Sequence, residues 1–157
     1  MIPRAGSDMP ITYLPNEHHV VRYVPWARLR KDEDDNVIGV LGTAFKLRDD
    51  ESYLSATWAE FFPGSRGDAI LAATKAIRGS RITVTPRSGF AIGNVGRVKD
   101  ACLADPQKHK VRIIHEPEDD NEAHTALRGW PRDNDLLLEL LAEEVWSETI
   151  LTKSIPA

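Results

Sequence analysis

The chain predicts an α+β fold: a single domain with a mainly antiparallel sheet of about five or six short strands and about three helices. Three observations lead there. The runs HVVRYV (19–24), YLSATW (53–58) and GFAIGNV (89–95) are short, rich in β-branched and aromatic residues, and bounded by Pro, Gly or charged positions, as strands are. Helical apolar spacing is confined to the neighbourhoods of 66–77, 96–105 and the stretch after Asn134. Strands and helices are interspersed without the regular alternation that a parallel sheet with crossover helices requires.

The elements can be justified in order. Residues 1–17 hold three prolines with Gly, Ser and Asn and read as an irregular N-terminal arm. HVVRYV is a strand stopped by Pro25. LRKDEDDNVIG (29–39) reads as an exposed charged loop. TAFKLR (43–48) and YLSATW (53–58) roughly alternate apolar and polar residues, so they are expected to form a hairpin across the polar turn RDDES. Ser65 is the predicted N-cap of a helix over 66–77, with Asp68 in its first turn and Gly79 beyond its end.

RITVTP (81–86) and GFAIGNV (89–95) read as strands, and GRVKDACLAD (96–105) as a helix ended by Pro106. KVRIIH (110–115) reads as a buried strand. The last helix is expected to begin near Asn134, capped by Asp133, with Leu137, Leu140, Leu141 and Val145 at helical spacing. The domain is thus expected over 18–150, followed by a tail at 151–157.

Bulk properties exclude several classes. With 157 residues, 41% of them apolar and 28% charged, the chain can build one sizeable core and does not have the composition of a disordered protein. A net charge of −4 gives no global attraction for nucleic acid or anionic membrane. No apolar run approaches the roughly 18 residues that span a bilayer. The first residues lack the apolar core of a secretory signal. The single cysteine, Cys102, lies between Ala101 and Leu103 and reads as core; it rules out an internal disulfide and a multi-cysteine zinc site. The expected location is the cytoplasm.

Four groups of residues carry candidate chemistry. In 115-HEPEDDNEAH-124, His115 and His124 bracket five carboxylates. His115, His124 and Glu116 are therefore acid–base candidates, and His115, His124 and Asp120 candidate ligands for a divalent metal, the one cofactor this pattern suggests. No HExxH, HxH or repeated HxT spacing supports a known metal hydrolase, and a solvated loop, or a short helix capped by Asp120 or Asn121, accounts for the same residues. The turn around GNVG joins a strand to a helix in a geometry that suits an anion: Asn94, Gly96, Arg97 and Lys99 are its candidates, because cations in a helix's first turn oppose the macrodipole unless an anion is bound. A tight glycine turn with two exposed basic side chains is the plain alternative. Arg22 shares a strand face with His18 and is a further anion candidate. Trp58 and Trp130 are candidate interaction anchors.

The segments HVVRYV, AFKLRDDESYLSATWAEFF, FAIGNV and IIHEPEDDNEAH, in this order across residues 19–130, resemble a group of small bacterial proteins associated with mobile or defence-type gene neighbourhoods. That resemblance brings no established activity, cofactor or catalytic residue. It implies a bacterial cytosolic accessory protein and draws interest to the HEP…AH segment and to Trp58–Glu60.

Three function classes follow. The foremost expectation is a non-catalytic interaction or accessory protein of a bacterial conflict or defence system, working with a protein partner or as a homo-oligomer. The alternatives are a small hydrolase or phosphotransfer enzyme using His115 and His124 with nearby carboxylates, with or without a metal, and a nucleic-acid module using the basic stretch between Arg78 and Arg112.

Overall fold

In the computed structural model, which describes residues 10–156, HVVRYV forms strand β1 (His19–Val24). Along the chain follow β2 (Leu29–Lys31), β3 (Val37–Val40), β4 (Tyr53–Trp58), helix α1 (Arg66–Arg78), β5 (Gly89–Asn94), α2 (Val95–Ala104), β6 (Arg112–His115), β7 (His124–Arg128), α3 (Asp135–Leu140) and β8 (Glu148–Leu151). Six strands form one sheet in the order β6-β7-β4-β1-β5-β8, and β2 and β3 form a separate hairpin. All the strand pairings are antiparallel. This is the α+β architecture that the sequence predicts. None of the described helices is long and apolar enough to cross a membrane.

Alternation along the strands divides the large sheet into two faces. Val20, Val24, Leu54, Ala56, Ala91, Ile113 and Leu127 point to one face, where α2 supplies Val98 and Cys102 and the α3 region supplies Leu137, Leu141 and Trp146. Val21, Phe90 and Ile92 point to the other, beneath Ile70, Ala73 and Ile77 of α1. Burying each such aliphatic side chain contributes roughly 1.5–3 kcal/mol. The second face is covered by α1 over β1 and β5. Its remainder, over β4 and β7, presents Tyr53, Ser55, Thr57 and His124, and there the candidate site lies.

Several local expectations are corrected. The charged stretch 29–39 is the β2–β3 hairpin: Leu29 and Val40 pair across it, both buried, and Asp32 Oδ1 accepts the turn amides of Asp34 and Asn36 at 2.9 Å each. Residues 43–48 do not pair with β4. Gly42–Phe45 is a 3-10 turn, because the Gly42 amide donates to Glu139 Oε1 and the adjacent Ala44 and Phe45 both turn inward, Phe45 against the Trp146 ring. RITVTP is not a strand. Its amides are taken by side chains distant in sequence, that of Arg81 by Asp120 and that of Thr85 by the Tyr23 hydroxyl.

Asn134, not Asp133, caps α3 by accepting from the Leu137 amide, while Asp133 sits at φ +54°. The helical path past Leu140 closes as a single π turn, Leu141–Val145. No helix forms near Asn121. His124 instead opens β7, which pairs with β4 on one side and β6 on the other.

Both ends of the described chain pack on the sheet. Leu14 is buried, its amide donates to Ile113 O, and the His115 amide donates to Thr12 O. The arm thereby covers the free edge of β6, which would otherwise present unpaired backbone groups. After β8, Ile155 is buried beneath α1, and Thr152 shares a hydroxyl contact with Ser88 at 2.8 Å.

Candidate functional site

Strands β1 and β4 are in register only at Val20↔Trp58 and Val21↔Thr57. Beyond Val21, β1 stays with β5 along its full length while β4 stays with β7, so the two strands part. Parting leaves the carbonyl of Ser55 without a strand partner. The guanidinium of Arg22 fills that gap: Nη1 donates to Ser55 O at 2.7 Å and Nε to Ala44 O at 2.9 Å. Around it opens a cleft of about 600 Å³, walled by the end of α1, the loop after it and the turn at Thr43–Ala44. Five basic residues (Arg22, Arg28, Lys46, Arg48, Arg81) and three acidic ones (Glu51, Glu118, Asp120) line it.

Arg22 is the unusual cation of the five. Its hydrogen bonds go to neutral carbonyls, and among the described residues no carboxylate lies within ion-pair distance of it. Burial brings its guanidinium down to about 10, an effect that Glu51 opposes at longer range and Arg48 reinforces. The other cations have nearer partners or more water. Arg81 donates to Asp120, Arg48 contacts Glu51, Lys46 approaches Asp135 at 3.5 Å, and Arg28 is exposed.

On the β4–β7 side of the cleft, register brings together two residues 69 positions apart. Thr57 lies opposite His124 and Ser55 opposite Ala126, so Ser55 and His124 are diagonal neighbours on one face. His124 Nε2 is 2.9 Å from Ser55 Oγ, and His124 Nδ1 is 2.8 Å from the carbonyl oxygen of Glu116. A carbonyl only accepts, so Nδ1 carries the proton. In the neutral ring Nε2 is then the acceptor, and the Ser55 hydroxyl donates to it. Glu118 Oε1 stands 3.7 Å from Nε2, and the Tyr53 ring meets the imidazole edge-on.

The acidic run is an ordered turn that supports this ring. Glu118 and Asn121 exchange backbone hydrogen bonds at 3.0 Å, and Asn121 Nδ2 donates to Thr57 Oγ1. Arg128 grips the Glu116 carboxylate with two bonds of 2.6 and 2.7 Å while lying over the Tyr53 ring. That grip holds the Glu116 carboxyl below the usual carboxylate range, and Arg81 does the same for Asp120. Burial, joined by the charges of Glu118 and Glu116, raises the Tyr53 phenol.

The other candidates lie elsewhere. His115 is opposite Thr125 in the β6–β7 register, which turns it to the sheet face away from His124. Its ring packs on Trp58 and Phe61, and its Nε2 bonds Glu122 O at 2.7 Å. His115, His124 and Asp120 are thus not brought together, and no group of three or more His, Cys, Asp or Glu side chains suited to a metal ion occurs among the described residues. Around the GNVG turn the protein fills the anion position itself. The amides of Val95, Gly96 and Arg97 donate to His18 O, Asn16 O and Asn94 Oδ1, and the Arg97 guanidinium donates to Glu144 O. Lys99 is half-buried on the same helix.

His18 is separated from Arg22's cleft by its own bond, as acceptor from Trp58 Nε1–H at 2.9 Å. His19 pairs with Glu60 at 2.6 Å. Trp130 is 4% exposed and donates to Phe45 O, so it is a core residue and not a surface anchor. Trp58 is half-buried. The basic residues between Arg78 and Arg112 are dispersed, with Arg78 on Pro156 O, Arg81 on Asp120 and Arg87 over the Trp26 ring.

Ser55 is the residue that sequence reading overlooked. Its signal was present in YLSATW, where alternation sets it on the face of Tyr53 and Thr57, but nothing local pairs it with His124. No protein-family model matches the chain, and no curated protein and no solved structure matches it either.

Proposed function

We propose that the chain binds a small anionic molecule, a carboxylate or phosphate, in the cleft between β1 and β4. The observation that carries this reading is Arg22, a half-buried guanidinium held by two carbonyls, with no carboxylate in ion-pair contact among the described residues. Its Nη2 has no acceptor among those residues, and an incoming anion would take it while supplying the missing charge. Charge-assisted bonds of this kind are the strong ones in a partly dry site. Basic residues outnumber acidic ones in the cleft lining by five to three, which favours the same sign of ligand.

The test is titration of the protein at low ionic strength with inorganic phosphate and, separately, succinate, followed by backbone amide chemical shifts. Saturable shifts should centre on residues 22, 44 and 55. Arg22→Lys keeps the charge but cannot span both carbonyls, and should weaken binding by about tenfold or more. Absence of saturable shifts with both anions would overturn the reading.

A second reading, the interaction or accessory protein, is favoured by a different observation. Leu136 and Leu140, one turn apart on α3, are 87% and 43% exposed. Isolated exposed leucines are ordinary, but two on one helical face make a short apolar stripe.

A further inference from the structure

We propose that Ser55 and His124 are a nucleophile–base pair that hydrolyses a carboxylic ester bearing an anionic group. The anionic part of this assignment rests on the binding role given to Arg22; the Ser55–His124 geometry stands without it.

The geometry meets three requirements of an activated hydroxyl. The base lies in hydrogen-bond contact with the nucleophile, at 2.9 Å. The ring is fixed in the productive tautomer by its second nitrogen, which donates to Glu116 O at 2.8 Å. A carboxylate, Glu118, stands 3.7 Å from Nε2, where positive charge develops as the ring gains a proton. A neighbouring pair on the same face offers a contrast. Thr57 and Asn121 also bond side chain to side chain at the cleft wall, but both are buried. Ser55 is only half-buried and opens onto the cleft. Arg22 donates to the backbone carbonyl of Ser55 and lines the same cleft as the Ser55 side chain, so one anionic ester can reach both groups.

The step balances with water as the co-reactant. His124 Nε2 takes the Ser55 proton as Oγ bonds to the acyl carbon. The bond from that carbon to the leaving oxygen breaks, and the imidazolium returns the proton to the departing alcohol. Water then gives a proton to Nε2 as its oxygen bonds to the acyl carbon. Ser55 Oγ leaves and recovers the proton. Ester and water become acid and alcohol, and no electrons are transferred to or from an outside group. The charged and titratable groups facing the ring are Glu118, Tyr53 and the Glu116–Arg128 pair, with Asp120 on the same turn and Arg81 bonded to it from the loop after α1. Glu116 and Arg128 are positioning residues, since they act through the ring.

The experiment is reaction of the intact chain with an alkyl fluorophosphonate, read by intact mass and peptide mapping. One adduct on Ser55 is expected. It should be absent from Ser55→Ala, slowed about a hundredfold in His124→Gln as loss of a general base implies, and slowed by saturating phosphate. The rate should rise with pH along a single ionisation. Wild-type protein left unlabelled, or labelled at a site indifferent to Ser55→Ala, would overturn the assignment. Ser55→Ala removes one half-buried oxygen and is checked for folding by circular dichroism, so it remains informative if His124→Gln fails to fold. Phosphate titration of Ser55→Ala keeps the two proposals apart: retained binding without labelling of the wild type sinks the nucleophile and leaves the anion site standing.

Discussion

Glu116 shows how one residue can serve two purposes. Its carbonyl orients the His124 ring, and its carboxylate, held by Arg128, fixes the start of the turn from which that carbonyl projects. Because the folded-state carboxyl is held below its ordinary range, the pair adds stability that is fully present above that range and is lost as pH falls through the lowered value. Glu116→Gln should therefore be less stable than wild type at neutral pH. The gap, followed by urea denaturation across a pH series, should close on acidification; a constant gap would mean the charge contributes nothing. Cys102 is the opposite case: burial, reinforced by the charge of Asp105, pushes its thiol up to about 12, consistent with a packing residue and not a nucleophile. Its core role was legible from its neighbours Ala101 and Leu103, whereas the importance of Ser55 was not. A serine in an alternating strand carries no mark of which residue will lie diagonal to it.

At the scale of elements, capping chemistry was the most readable signal. Ser65 Oγ accepts the Asp68 amide at 3.1 Å and begins α1 where the sequence predicts. Ser65→Ala should cost about 1 kcal/mol of stability in urea titration, with the sheet intact; an unchanged midpoint would show that tertiary packing alone sets the helix start. The N-terminus of α2 reads from the sequence either as an anion site or as a plain glycine turn, and the tertiary structure decides for the turn. Residues 16 and 18 deliver their carbonyls to its first amides, which satisfies donors that a phosphate would otherwise take. The 43–48 segment failed as a strand for a similar reason. Its approximate alternation was real, but Glu139 on α3 draws the Gly42 amide into a turn, and Ala44 and Phe45 both go inward.

At the scale of the whole molecule, the cleft exists because two neighbouring strands have stronger commitments elsewhere. β1 is bound along its length to β5 and β4 to β7, so their shared edge opens and Arg22 enters it. The layers above and below are closely set: a Cβ added at Gly93 would lie 2.8 Å from the Trp146 ring, which explains glycine at that point of β5. Assembly also belongs to this scale. If the α3 stripe docks a second copy, sedimentation velocity should show a concentration-dependent dimer that Leu136→Glu abolishes without altering the anion titration. A monomer at all concentrations would remove the self-association form of the interaction reading.

The sequence by itself determined the fold class, the positions of β1, β4, β5 and β6, and the starts of α1 and α2, because periodicity and capping act over a few residues. Only the tertiary structure decided that the acidic run is a turn, that His115 and His124 face opposite sides of the sheet, and that Ser55 meets His124 while Arg22 holds Ser55's carbonyl. The last two contacts depend on strand order and register between segments 33 and 69 residues apart, which are set by the packing of two cores against one sheet, whereas the acidic turn and the facing of His115 follow from the β6–β7 pairing.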